Sequence, residues 1–203
     1  MPTARALRLC LCLFSTALLL APDAWAAPEQ LSPFAFKNLV ERTRAAVVRV
    51  VAPSGGTAVI VGVSGELVAD LYLLEKDRLV VEVKGEKKTA TLLAKDGELG
   101  LALLRLPPDD YPAAAVGSAS TLNAGSALVG LCFDEKGKLR AEIGHFAGTK
   151  TGAGPAHLRT DVAGTAGTAL FNSKGQLVAL HAGRPRATFA IDDVRARFAP
   201  KAR

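Results

Sequence analysis

Few residues in this chain have the type and spacing to make or break bonds. Beyond residue 26, Cys132 is the single thiol, and His145, His157 and His181 are the three imidazoles. A thiolate beside an imidazole would pair a nucleophile with its base. Asp134–Lys138 (DEKGK) is a good hairpin turn, and pairing Phe133 with Leu139 across it sets Cys132 opposite Arg140 and His145 opposite Ala127. Cys132 and His145 then lie five residues apart along the strand, roughly 17 Å at about 3.3 Å per residue, and cannot touch. Cys132 instead reads as a small apolar residue within Ser126–Phe133. His181, close to Arg184 and Arg186, reads as an exposed histidine at a strand end; its pairing with a loop serine such as Ser118 or Ser120 stays open. The histidines stand 12 and 24 residues apart with no cysteine pair nearby, which is not a metal-ligand spacing, so neither metal nor cofactor is expected. Gly148–Pro155 (GTKTGAGP) has the glycines of a phosphate cradle but not its Gly-Lys-Ser/Thr ending or a following helix, and reads as a surface loop.

These residues must be positioned by short strands. Pro33–Arg44 carries Phe36, Leu39, Val40 and Thr43 three or four apart, the stripe of one short helix. From Ala45 the period changes to short apolar runs punctuated by Gly, Asp, Lys and Pro: 46–52, 57–63, 66–74, 79–84, 88–95 and 101–106. The spacing leaves no room for crossover helices, which argues against a parallel sheet. Three prolines within residues 107–112 cannot join a central sheet and mark a linker. Six further runs follow at 126–133, 139–146, 157–162, 168–171, 176–181 and 188–194, with a second turn at Asn172–Gly175. Six strands, a bridge and six strands predict an all-β fold of two packed antiparallel barrels.

Composition narrows the function classes. In 203 residues, 49% hydrophobic and 22% charged, Lys plus Arg exceed Asp plus Glu by 25 to 19, but the excess is scattered. Eight Phe, two Tyr and one Trp are too few for a base-stacking platform, so nucleic acid is not an expected partner. Arg5 and Arg8, the apolar run Leu9–Ala21 and Ala24-Trp25-Ala26 read as a signal peptide cut after Ala26. That run is short for a membrane span, and no later stretch reaches about 20 apolar residues, so no stable span is expected in the exported chain. Its removal also takes Cys10 and Cys12, leaving no internal disulfide. The resulting division is 1–26 signal peptide, 27–44 N-terminal segment with the helix, 45–106 first lobe, 107–119 linker, 120–195 second lobe and 196–203 tail.

Several segments, in order, resemble the chymotrypsin-fold serine proteases in their trypsin-like HtrA/Deg form. Phe36–Glu41 and Ala45–Val50 are similar to that family's first helix and strand, Gly65–Val68 to the strand that follows, and Leu101–Leu106 (LALLRL) to its DLALLKI strand. Val116-Gly117-Ser118 resembles LGDS, Thr160-Asp161 with Gly164–Asn172 (GTAGTALFN) resembles TDA…GNSGGPLFN, and Phe189-Ala190-Ile191 resembles FAIP. The likeness runs from about residue 36 to 194. It implies two six-stranded barrels meeting at a cleft, and a Ser-His-Asp triad within it.

The triad's residue types are missing. The histidine of TNNHVV falls on Tyr72, the aspartate of DLALLK on Gly100 and the serine of GNSGGP on Ala166. A phenol, ordinarily titrating near 10, is a poor base at neutral pH, and glycine and alanine offer no carboxylate or hydroxyl. The resemblance therefore implies a pseudoprotease, with no catalytic residue assigned. Gly164, Thr165 and Ala166 match the loop whose backbone N–H groups form the oxyanion hole, and backbone donors do not depend on a serine. The expected partner is a peptide or envelope protein, taken up beside the cleft at an exposed strand edge. The other open readings are an active endopeptidase with a displaced site and a purely structural domain. About nine residues follow Val194, so the PDZ domain that such proteases often carry is not expected.

Overall fold

The computed structural model describes residues 27–52, 55–152, 154–184 and 186–199; the signal peptide read over 1–26 lies outside them. Helix α1, Pro33–Thr43, begins where Ser32 Oγ accepts the Ala35 N–H at 3.2 Å, with Pro33 supplying a preset φ in the first turn. It buries Leu39 and Thr43.

Strands β1 (Val47–Ala52), β2 (Gly56–Ile60), β3 (Glu66–Asp70), β4 (Arg78–Val83), β5 (Glu86–Asp96) and β6 (Leu101–Arg105) close into an antiparallel barrel in the order β1-β2-β3-β6-β5-β4. A second barrel closes in the order β10-β11-β12-β9-β8-β7, from β7 (Ala127–Phe133), β8 (Leu139–Lys150), β9 (His157–Thr160), β10 (Ala169–Asn172), β11 (Leu177–Ala182) and β12 (Ala187–Ala190). Two six-stranded barrels are the architecture that the turn spacing predicts. The β7–β8 register matches too: Phe133 pairs with Leu139, Cys132 with Arg140 and Ala127 with His145.

Each barrel has its own interior. Val48, Val50, Ile60, Leu67, Leu79, Val81 and Leu104 fill the first, and Leu128, Phe146, Leu158, Leu170 and Val178 the second. A third cluster, with Val47, Val59, Val68, Leu101, Val129, Leu131, Phe171, Leu180 and Phe189, joins the two barrels and takes in Leu39 of α1. The segment read as a linker is docked rather than loose. Tyr111 is buried in the first barrel's cluster, its hydroxyl donating to the Pro107 carbonyl at 2.6 Å. Ala114 N–H donates to Ile60 of the first barrel, and Leu177 of the second donates to Ala115.

Several stretches depart from the expected strands: the run 57–63 stops at Ile60, and β8 continues from 146 to Lys150, so Gly148–Lys150 of the segment read as a surface loop pair with β9 instead. The run 66–74 stops at Asp70, whose side chain caps a 3-10 turn over Leu71–Leu73. The run 188–194 stops at Ala190, and helix α2, Ile191–Phe198, follows. Asp192 and Asp193 sit in its first turn and Arg195 and Arg197 in its last, the charge order a helix dipole favours.

Candidate functional site

The site is built where the loop after β3, the loop before β10 and the end of β11 meet. Asp70 holds that junction. It is fully buried; its Oδ1 accepts the Tyr72 N–H at 2.9 Å, and its Oδ2 accepts the Gly183 N–H from the other barrel. Leu71 N–H donates to the Gly100 carbonyl at 2.8 Å, so Gly100 adjoins the same turn. Gly183 connects it to Ala166: a Cβ built on Gly183 would lie 2.8 Å from the Ala166 Cβ and 3.1 Å from Asp70 Oδ2. Tyr72, Gly100 and Ala166, far apart in sequence, thus come together at the junction that Asp70 holds.

Sequence reasoning missed Asp70. The signal present was a lone acid inside the apolar stretch Leu67–Leu74 (LVADLYLL), since a charged side chain in such a run needs partners to be buried. The place itself was unreadable, because its second partner lies 113 residues away.

The loop before β10 is held from both sides. Gly167 has φ +82°, and a Cβ there would fall 2.0 Å from the Thr57 carbonyl oxygen, so only glycine lets the loop lie against β2. Thr57, itself buried, accepts the Phe133 N–H with its hydroxyl at 2.8 Å, a second tie between barrels. Within the loop, Thr168 N–H and Thr168 Oγ1 both donate to the Thr165 carbonyl, and the Gly167 N–H donates to His181. Among the described residues, the N–H groups of Gly164 and Ala166 donate to no protein acceptor.

His181 is not the exposed strand-end residue expected from its neighbours. It lies partly buried beneath the loop, where a Cβ on Gly164 would meet its ring at 2.5 Å. Its Nδ1 lies 3.0 Å from Thr188 Oγ1, the cross-strand residue, which is buried. Burial holds the imidazole below its ordinary value, opposed in part by the nearby Asp70.

The open pairing of His181 with Ser118 or Ser120 is not formed. Ser118 Oγ instead donates to Asp192 Oδ2 at 2.8 Å and contacts Ser120 Oγ at 2.7 Å. His145 faces Asp161, ring nitrogen to carboxylate at 3.5 Å. Burial pushes the Asp161 carboxyl up, but hydrogen bonds from the His145 backbone and ring outweigh it and leave the group below its usual value. Among the described residues, no serine or cysteine side chain bonds a histidine.

Beside the loop, a cavity of about 920 Å³ opens between the barrels, lined by Gly56 on one side and by Cys132, Asp134, Glu135, Arg140, Glu142 and Ala166 on the other. Cys132, read as a small apolar residue of its run, is half-buried on this wall, one residue before the end of β7. Among the described residues, no group of three His, Cys, Asp or Glu side chains gathers as a metal site, and no helix is long and apolar enough to cross a membrane. Next to Asp70, Tyr72 is 58% exposed, and the Arg184 guanidinium stands over its ring at 4.7 Å.

Paired six-stranded barrels, with a loop from the second laid against the first, define a chymotrypsin-like peptidase scaffold. The family model for the trypsin-like peptidase domain matches residues 43–180, and the chain belongs to that family. The fold is similar to that of Deg5, with a TM-score of 0.69 at 20% identity over 83% of this chain and 95% of that one. It is similar also to the HtrA-type protease AlgW solved with a tripeptide, with a TM-score of 0.67 at 23% identity over 76% of this chain, and to AlgW with a decapeptide, with a TM-score of 0.62 at 19% identity over 75%. The chain spans 58% and 61% of those two AlgW chains. No curated protein sequence matches it.

Proposed function

We propose that this trypsin-like domain is an exported, catalytically silent member of its family that holds an extended polypeptide in the cleft between its barrels. One observation supports the reading: Tyr72, Gly100 and Ala166, which the resemblance aligns with the triad, meet at the junction held by Asp70 and carry a phenol, a hydrogen and a methyl group. Loss of the nucleophile or its base alone costs a protease of this kind on the order of a million-fold. Binding needs neither. The cavity of about 920 Å³ lies within the range of ligand pockets, and the N–H groups of Gly164 and Ala166 are available to a carbonyl or carboxylate. AlgW, whose scaffold is similar, has been solved with a tripeptide and with a decapeptide. Because both sheets close on themselves, a peptide would pair with loop segments at the cleft, such as the one after β11, rather than with an open sheet edge. The leader read at residues 1–26 supports a place in the cell envelope.

The test is cleavage of unfolded casein by the purified protein between about pH 5 and pH 9. No cleavage above a buffer blank is expected, either from the native protein or from Ala166→Ser, because a serine alone lacks a base. Cleavage that co-purifies with the protein and survives Ala166→Gly would overturn the reading.

A further inference from the structure

The loop that leaves β11 beside Ala166 carries two arginines, Arg184 and Arg186, both exposed. Neither makes an ion pair among the described residues. The three segments that converge on the junction are residues 69–74, 163–168 and 181–188. They contain one acid, Asp70, and both of its oxygens are already engaged by backbone N–H groups. His181 lies under the loop with its protonated form disfavoured by burial, so it neither adds to this charge nor offsets it at neutral pH. Arg184 is held over Tyr72 at 4.7 Å, a contact that limits the freedom of a long side chain and fixes its charge beside the turn that Asp70 caps. The adjoining Gly183 is within van der Waals reach of Ala166, so the loop that carries this charge adjoins the one with the unpartnered N–H groups of Gly164 and Ala166. Arginine is the side chain suited to carboxylate recognition, through its planar fork of donors.

We infer that Arg184 and Arg186 select a carboxylate on the bound peptide, so that the place beside Ala166 takes acidic segments in preference to neutral ones. This rests on the peptide-binding reading above. The carboxylate has two sources, an Asp or Glu side chain or a chain's own C-terminus, and the assay separates them.

Three short labelled peptides of matched sequence are titrated against the purified full-length protein by fluorescence anisotropy. One has a central Glu and an amidated end, one a Gln in its place, and one neutral side chains with a free C-terminal carboxylate. A carboxylate bound by arginine gives about a tenfold advantage over the neutral peptide, weakening as salt is raised. The double variant Arg184→Gln/Arg186→Gln, confined to exposed loop positions, is expected to bring the three peptides to equal affinity. An advantage for the Glu peptide assigns the acidic side chain; one for the free-terminus peptide assigns the chain end. Equal binding of all three, or an advantage that persists in the double variant, overturns the inference and leaves peptide binding standing. Binding of none overturns the peptide-binding reading, and this inference with it.

Discussion

Asp70 ties the 3-10 turn of the first barrel to Gly183 of the second, and replacing it with asparagine tests that tie with little change of shape. The carboxyl group offers an acceptor on each oxygen, one for the Tyr72 N–H and one for the Gly183 N–H. An asparagine amide has one acceptor and one NH2 group, so in either orientation one backbone N–H faces another donor. Leaving one buried donor unpaired costs about 1–3 kcal/mol, so Asp70→Asn is expected to destabilise by about 2 kcal/mol. Asp70→Ala strips both acceptors and the cap of the turn, for a loss of about 3–5 kcal/mol. Urea unfolding reads this as a lower midpoint at unchanged slope. Native-state hydrogen exchange gives the local check, since the Gly183 amide should lose protection in both variants more than amides at the centre of β10 do. An asparagine variant within about 0.5 kcal/mol of the native protein would refute the view of Asp70 as the clasp between barrels.

Two further outcomes are expected. Gly167→Ala combines a left-handed backbone, φ +82°, with a Cβ placed 2.0 Å from the Thr57 carbonyl; it should cost about 2–4 kcal/mol in the same unfolding assay, and a loss under about 0.5 kcal/mol would mean that the loop shifts freely. His181 has a folded value below the ordinary 6.5, so below that pH the unfolded chain binds more protons than the folded one. Stability should therefore hold above about pH 6.5 and fall as acid is added beneath it. His181→Asn should flatten that part of the profile; an unchanged slope would remove His181 as its cause.

The barrels were legible in the sequence because their information is local. Turn residues such as Asp134–Lys138 and Asn172–Gly175 set hairpin register, and the pairing of Phe133 with Leu139 follows from the turn alone. Ends of elements were less legible. Thr188–Val194 reads as strand through Phe189, Ala190 and Ile191, yet Asp192 and Asp193 start a helix whose Ile191, Val194 and Phe198 pack on the shared core. Leu71–Leu74 is as apolar as the strand before it, and the break comes from the Asp70 side chain folding back on Tyr72 N–H. At the candidate site, the resemblance assigned Tyr72, Gly100 and Ala166 one by one, but their gathering depends on contacts across the barrels. The same holds for His181, whose surroundings are set by Gly164, 17 residues earlier.

The clasp also imposes an order on the nascent chain. Every strand of the first barrel is available once residue 105 has been made, so that barrel has its full set of partners while the second is unfinished. Asp70, however, gains its second partner only when Gly183 arrives, 113 residues behind it. Until then its carboxyl group is served by water at a surface that the second barrel has yet to cover. The half-made molecule thus carries an open polar seat at the end of β3, beside an apolar face formed by Val47, Val59, Val68 and Leu101. A polar group beside such a face discourages premature pairing of two nascent copies, and the same group becomes the joint between barrels when the chain is complete.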